Sequence, residues 1–335
     1  MKKNKENTLV PVITRRDFVK GTALGTLGLA LGLFDAESLA LPPNAEKTEK
    51  DGDSKPPAKS RVVLVRDEKI LSDDNAVDKK ILTDMLDQGM MGFAETEDPI
   101  SAWKKFFKSS DVVGVKINVM ITPTHDELIE LIVKNLLNIG IKDNNIYVWD
   151  RDEIGVGQKE MFSRPQRFGF EKDHLSKVIK KCTALINVPG MKSHWLSGVA
   201  LSIKNWAGAV NNARDYHTED CCARLGELCN IPEIKSKNRL IVLDALRPLF
   251  HGGPQVDPKY LWNYNGLMIG RDHVAVDTVS LKIIQRQRSR YKKEEWMISP
   301  PPFHVALADT RYKVGTSDLR LIDLVKLGWQ KDALI

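Results

Sequence analysis

The chain has 335 residues, 42% hydrophobic and 28% charged, an ordinary globular composition long enough for one large domain or two modest ones. Its formal net charge is +6, but Lys and Arg are spread along the chain and not blocked into arms, which argues for solubility and against a nucleic-acid partner. The most basic run, Lys282 to Lys293, has the pattern of a helix with a solvated charged face.

In chain order, Thr14-Arg15-Arg16-Asp17-Phe18-Val19-Lys20 comes first and resembles a twin-arginine export signal. Behind it, Gly21 to Phe34 is apolar, rich in Gly and Leu and too short to span a bilayer comfortably, and Ser38-Leu39-Ala40 offers a small-x-small cleavage site. Residues 1–40 are therefore expected to be a signal peptide cleaved after Ala40, with an uncleaved membrane tether as the alternative. No Cys lies near that point, which argues against a lipoprotein anchor. The resemblance implies a periplasmic or otherwise exported protein, with the twin-arginine export machinery as a partner and no stable membrane insertion. Residues 41–60 are polar and Pro-rich, cannot bury enough surface to order themselves, and read as a disordered linker.

From residue 61 onward, expected as a single α/β domain to residue 335, short β-branched runs alternate with helical spacing. Strands are predicted at Arg61–Arg66, Asp111–Val119, Asn145–Asp150, Thr183–Val188 and Arg239–Asp244. Helices are predicted at Asp73–Gly89, Pro99–Phe107, from a Thr124 cap to Leu137, at Lys172–Lys181, across Ser197–Ala209 and at His273–Ile284. This alternation predicts a mostly parallel sheet with helices on both faces. In such sheets the ligand site lies at the carboxyl ends of the strands.

Those ends are polar here: Lys116 and Asn118, Asp150 and Asp152, Asn187 with Lys192 and His194, and Asp244 with Arg247. Any one of them has a plainer reading as a turn or cap residue; their convergence on several strand ends does not. Gly252-Gly253-Pro254 permits close backbone approach to an anion, against the plainer reading of a tight turn. Gly155-Val156-Gly157 lacks the third glycine of a dinucleotide fingerprint and is rejected as one.

The segment from Ile186 to Val210 carries Asn187-x-Pro189-x-x-Lys192-x-His194 and then Lys204-Asn205-x-x-Gly208. With Lys116-Ile117-Asn118 upstream, and Tyr216-His217, Leu243-Asp244-Ala245 and Gly270 to Asp277 downstream, it resembles the domain-of-unknown-function 362 family over roughly residues 61–290. The match departs at His273, where that family has Pro. The resemblance implies the fold and an exposed site but no particular reaction.

The residue chemistry suggests roles. Lys116, Asn118, Asn187, Asn205 and Gly253 are candidate binders of a small anionic ligand, a carboxylate or phosphate. Lys192, His194 and Lys204 are candidate catalytic groups, with His194 as acid or base. Asp244, Asp277 and His217 are candidate ligands for a divalent metal, although no tight His spacing is present. Salt-bridge and packing roles are the plainer alternatives for Asp277 and His217. Cys221, Cys222 and Cys229, expected in one helix, lack a Cys-x-x-Cys and make an iron–sulfur cluster the weaker cofactor option. Three functions stay open: an exported enzyme on a small anionic substrate with metal assistance as an option, a non-catalytic anion- or metal-binding protein, and a redox partner.

Overall fold

The computed structural model describes residues 59–151, 175–217 and 221–335. The export signal expected over 1–40, most of the linker, Asp152 and the Gly155-Val156-Gly157 turn lie outside the described residues.

The first half of the fold runs β1 (Ser60–Arg66), α1 (Lys79–Ala94), α2 (Pro99–Phe106), β2 (Val113–Ile117), α3 (Asp126–Asn138), β3 (Ile146–Trp149), α4 (Lys177–Lys181) and β4 (Ala184–Val188). The second half runs β5 (Gly190–His194), β6 (Gly198–Ala200), α5 (Ser202–Asn205), α6 (Gly226–Cys229), α7 (Pro232–Lys237), β7 (Asn238–Leu249), β8 (Gly266–Gly270), α8 (His273–Lys292), α9 (Phe303–Thr310) and β9 (Ile322–Gly328). The strands form one sheet in the order β3-β2-β4-β7-β8-β1-β9, with β5 on β7 and β6 on β5. Parallel pairing joins β2 to β3 and β4, β7 to β4 and β5, and β1 to β9. Strand β8 runs against both β1 and β7, and β6 against β5.

Alternation along each strand sends side chains to two covered faces. Val63, Val65, Val113, Val115, Ile186 and Val188 pack under α1, α2 and α3. Val62, Leu64, Leu185, Ile241 and Leu243 pack on the other face with Val274, Val279 and Ile283 of α8 and Val305 of α9. The expected α/β architecture, mostly parallel with helices on both faces, is the observed one. No helix among the described residues is long and apolar enough to cross a membrane.

Several boundaries differ for identifiable reasons. Helix α1 starts at Lys79 because Asp78 caps it, accepting from the backbone N–H groups of Lys80 and Ile81. Thr124 does not cap α3, because its hydroxyl donates to the carbonyl of Val188 and accepts from the N–H of Asn118. The stretch Ser197–Ala209 is not one helix: Gly198, at φ +75°, closes a hairpin between β5 and β6, and only Ser202–Asn205 and a following 3-10 turn are helical. The cysteines do not share a helix either, since Cys221 and Cys222 both take left-handed backbone ahead of α6. None of the four is in a disulfide.

Topology now selects one crevice. From β2 the chain leaves through α3 to β3 on one side, whereas from β4, β2's other neighbour, it leaves in the opposite direction toward β5 and β7. Loops that diverge from adjacent parallel strands leave an opening at their carboxyl ends, the usual binding position in open α/β sheets.

Candidate functional site

At that crevice the pleat turns Lys116 and Asn187 to the same face. They are register partners on β2 and β4, while their neighbours Val115, Ile117, Ile186 and Val188 face the opposite core. Lys116 is 1% exposed; its Nζ donates to Asp150 Oδ1 at 2.6 Å and to the carbonyl of Ile117 at 2.7 Å. Asp150, just past β3, also accepts from the N–H groups of Val119 and Arg151. Burial lowers the Lys116 pKa, against the pull of Asp150. This pair is fully hydrogen-bonded, and it holds the ends of β2 and β3 together.

The amides organise the floor. Asn205 donates to Asn187 Oδ1 at 2.7 Å and to the carbonyl of Lys116, while Asn187 donates to the carbonyl of Ser202. Asn118 turns the other way and closes the loop after β2, donating to the carbonyls of Met120 and Thr122 at 3.0 and 2.6 Å. Helix α5 carries Asn205 and Lys204 and is held from outside: Asp277 of α8 accepts from the N–H groups of Ser202 and Ile203 and from the Ser202 hydroxyl. Both of its oxygens are thereby used, and Asp277 is an anchor.

Strand β5 supplies Lys192 and His194 at alternate positions. Lys192 is 4% exposed, and its Nζ donates to the carbonyl of Met120 at 2.7 Å. Burial, with Lys116 and Lys204 nearby, brings its pKa down to about 7. Lys204, 8% exposed, is brought down by burial to about 8 and pairs with His217 Nε2. His217 donates its Nδ1 proton to the carbonyl of Ala213, which leaves Nε2 as the acceptor Lys204 needs.

His194 differs from its expected acid or base role. Its Nδ1 accepts from the N–H groups of Leu196 and Ser197, so the ring proton sits on Nε2. Burial and the surrounding cations push its pKa down to about 2, and the ring stays neutral as a hydrogen-bond donor. Trp195 stacks on it, with 4.0 Å between centroids.

Lys116, Asp150, Lys192, His194, Trp195, Lys204, Asn205 and His217 line a cleft of about 180 Å³, together with Asn118, Met120, Arg151, Gly190 and Gly208; Asn187 and Asp277 lie outside its lining. Asp150 is the only carboxylate among its described lining residues. The cleft shares Arg151, Trp195, Ala213 and His217 with an outer recess of about 530 Å³ that also takes in Arg214.

Gly208 explains the last position of the Lys204-Asn205-x-x-Gly208 block. A Cβ there would stand 2.4 Å from Asp150 Oδ1 and 2.8 Å from Lys116 Nζ. Gly208→Ala is expected to cost about 1–3 kcal/mol by overpacking. Urea unfolding measures that cost; an unchanged midpoint would mean the ion pair does not need the close approach.

The candidate metal set is not brought together. Asp244 gives Oδ2 to the N–H and Nδ1 of His125 and Oδ1 to the N–H of Leu246, Asp277 clamps α5, and His217 is spent on Ala213 and Lys204. No group of three His, Cys, Asp or Glu among the described residues is arranged to hold a metal ion. Gly253 lies outside the cleft, against the Trp195 ring at 3.1 Å from a Cβ position.

Sequence reasoning missed Gly208 as a site residue, and it missed His125 and His304. Asp244 raises the pKa of His125. His304, at the start of α9, is fully buried, has no hydrogen-bond partner on either ring nitrogen, and is brought down to about 3 by burial and by Lys204. Nothing in its spacing relates it to Lys204, exactly a hundred residues earlier.

Residues 154–282 match the model of a family described as Domain of unknown function (DUF362). The match spans both the Asn187 to His194 block and the Lys204 to Gly208 block and supports the resemblance read from them. It leaves out Lys116, Asn118 and Asp150, which the sheet brings to the same cleft. No curated protein and no solved structure matches the chain.

Proposed function

We propose that the chain is an exported protein, carried to the periplasm by the twin-arginine machinery, and that it is an enzyme acting on a small carboxylate or phosphate held in the lysine cleft. The observation behind this reading is a charge imbalance: among the described lining residues, Lys116, Lys192 and Lys204 face the single carboxylate of Asp150, which is already paired with Lys116. Burying cations without counter-charge is costly, and an anion in the cleft offsets that cost. His194 Nε2–H supplies a neutral donor. Lys192 is the group whose proton is exchangeable near neutrality, as general acid–base work requires.

A thermal-shift screen with small carboxylates and inorganic phosphate tests the site. An anion that stabilises the wild type should lose its effect in Lys204→Met. With a ligand in hand, turnover separates the two leading functions: product formation by the wild type supports an enzyme, whereas binding without turnover supports a binding protein. No stabilisation by any anion would contradict both.

A further inference from the structure

The three cleft lysines are not equivalent. Lys116 is committed to Asp150 and Lys204 to His217, but among the described residues Lys192 has neither a carboxylate nor an imidazole bonded to it, only the backbone carbonyl of Met120. It comes from the middle of a paired strand, with Ala200 of β6 opposite and Leu249 of β7 on the other side. Its side chain is therefore aimed by sheet geometry and not by a flexible loop. Around it stand the cations of Lys116 and Lys204, which favour its uncharged form and attract an anionic partner.

We infer that Lys192 is a nucleophilic amine that captures the carbonyl carbon of a small 2-oxo acid as an imine, the carboxylate of that acid lying among the neighbouring cations. This deepens the anionic-substrate reading and rests on it. Anion capture alone is served by any lysine; an unpaired, desolvated amine beside other cationic groups is the arrangement that activates lysine toward carbonyl compounds.

The step balances within the cleft. The lone pair of neutral Lys192 Nζ forms the C–N bond as the carbonyl π pair moves to oxygen. Lys204, as an ammonium, donates a proton to that oxygen. The nitrogen of the carbinolamine then gives up a proton, which returns through Lys204, and the oxygen takes up a second proton from solvent and leaves as water as the C=N bond forms. The resulting iminium is protonated on nitrogen, and its charge is set beside the bound carboxylate. The two lysines suit these roles, because Lys192 has no carboxylate bonded to it that would hold it charged, whereas Lys204 has His217 Nε2 as an acceptor for its proton. His194 Nε2–H is a neutral donor suited to the carbonyl or carboxylate oxygen.

The experiment incubates the full chain with pyruvate and cyanoborohydride at pH 7.5, digests it and locates carboxyethyl-lysine by mass spectrometry. A parallel thermal-shift series uses propionate, which has the carboxylate and lacks the ketone. The expected result is a single dominant adduct on Lys192, at least tenfold above any other lysine, with a rate that falls on either side of a maximum between pH 7 and pH 8. Adducts scattered evenly over surface lysines, with propionate still stabilising the protein, would overturn the imine and leave the anion site standing. No Lys192 adduct together with no stabilisation by propionate would overturn the imine and count against the anion reading as well. Lys204→Met, which retains the Lys192 amine but loses both the proton donor and an anion contact, should be modified at Lys192 at least tenfold more slowly than the wild type at pH 7.5; an unchanged rate would remove Lys204 from the step.

Discussion

Lys192→Met is expected to be more stable than the wild type and unable to bind the anion. The unfolded chain holds the Lys192 proton up to its ordinary pKa of 10.5, whereas the folded chain releases it at about 7. Between those values the unfolded state binds more protons, so the wild type gains stability as pH rises through this window, and the penalty is complete below pH 7. At about 1.4 kcal/mol per pKa unit, the penalty at pH 7 is on the order of 4 kcal/mol. Methionine fills nearly the same volume without a charge to desolvate, and the lost hydrogen bond to the Met120 carbonyl takes back about 1 kcal/mol. The net gain, about 2–3 kcal/mol, should raise the melting temperature by roughly 5–10 °C. It should be largest at pH 6 and vanish toward pH 10. A variant that melts lower than the wild type at pH 6 would show that Lys192 is not held as a strained, unneutralised cation.

Lys116→Met, in the same cleft, is expected to do the reverse. Asp150 would be left buried with only the N–H groups of Val119 and Arg151, and breaking a buried ion pair on one side costs about 3–5 kcal/mol. Asn205 and the end of β2 would also lose a shared partner, since Lys116 Nζ contacts Asn205 Oδ1 at 3.3 Å. The double variant Lys116→Met, Asp150→Asn should recover most of that loss, because no unpaired charge remains. A double-mutant cycle by urea unfolding reads the coupling directly; additive effects would mean the two groups do not interact as the 2.6 Å contact implies. Two lysines in one cleft, opposite in sign, separate scaffold from function.

The contrast between them was only half visible in the sequence. Lys116, Asn187, Lys192, His194, Lys204 and Asn205 stood out because polar residues at the ends of apolar strands are unusual, and the α/β alternation made their convergence predictable. Their pairings were not visible. Lys116 meets Asp150 across 34 residues and Asp244 meets His125 across 119, distances over which spacing carries no information. Asp277 read as a candidate ligand because carboxylates in helices are ambiguous; only the position of α5 against α8 shows both oxygens engaged by backbone N–H groups. His194 read as an acid or base from its type, and its role changed when the hairpin turned the N–H groups of Leu196 and Ser197 onto Nδ1. Gly208 was noticed as a motif position, but the reason for it, an ion pair pressed against its Cα, belongs to the tertiary structure.

The claim that joins these observations is that the cleft holds buried lysines awaiting an anion, and that Lys204 takes up a proton when it arrives. Calorimetry with oxalate, whose own charge is constant between pH 6.5 and 9, measures this directly when each titration is repeated in buffers of different ionisation enthalpy. The account predicts binding at one site with net proton uptake at pH 7.5, taken up by Lys204, and an affinity that falls as pH rises past 8. Binding without proton uptake and with the same affinity at pH 6.5 and 9, or no binding at either, would contradict it.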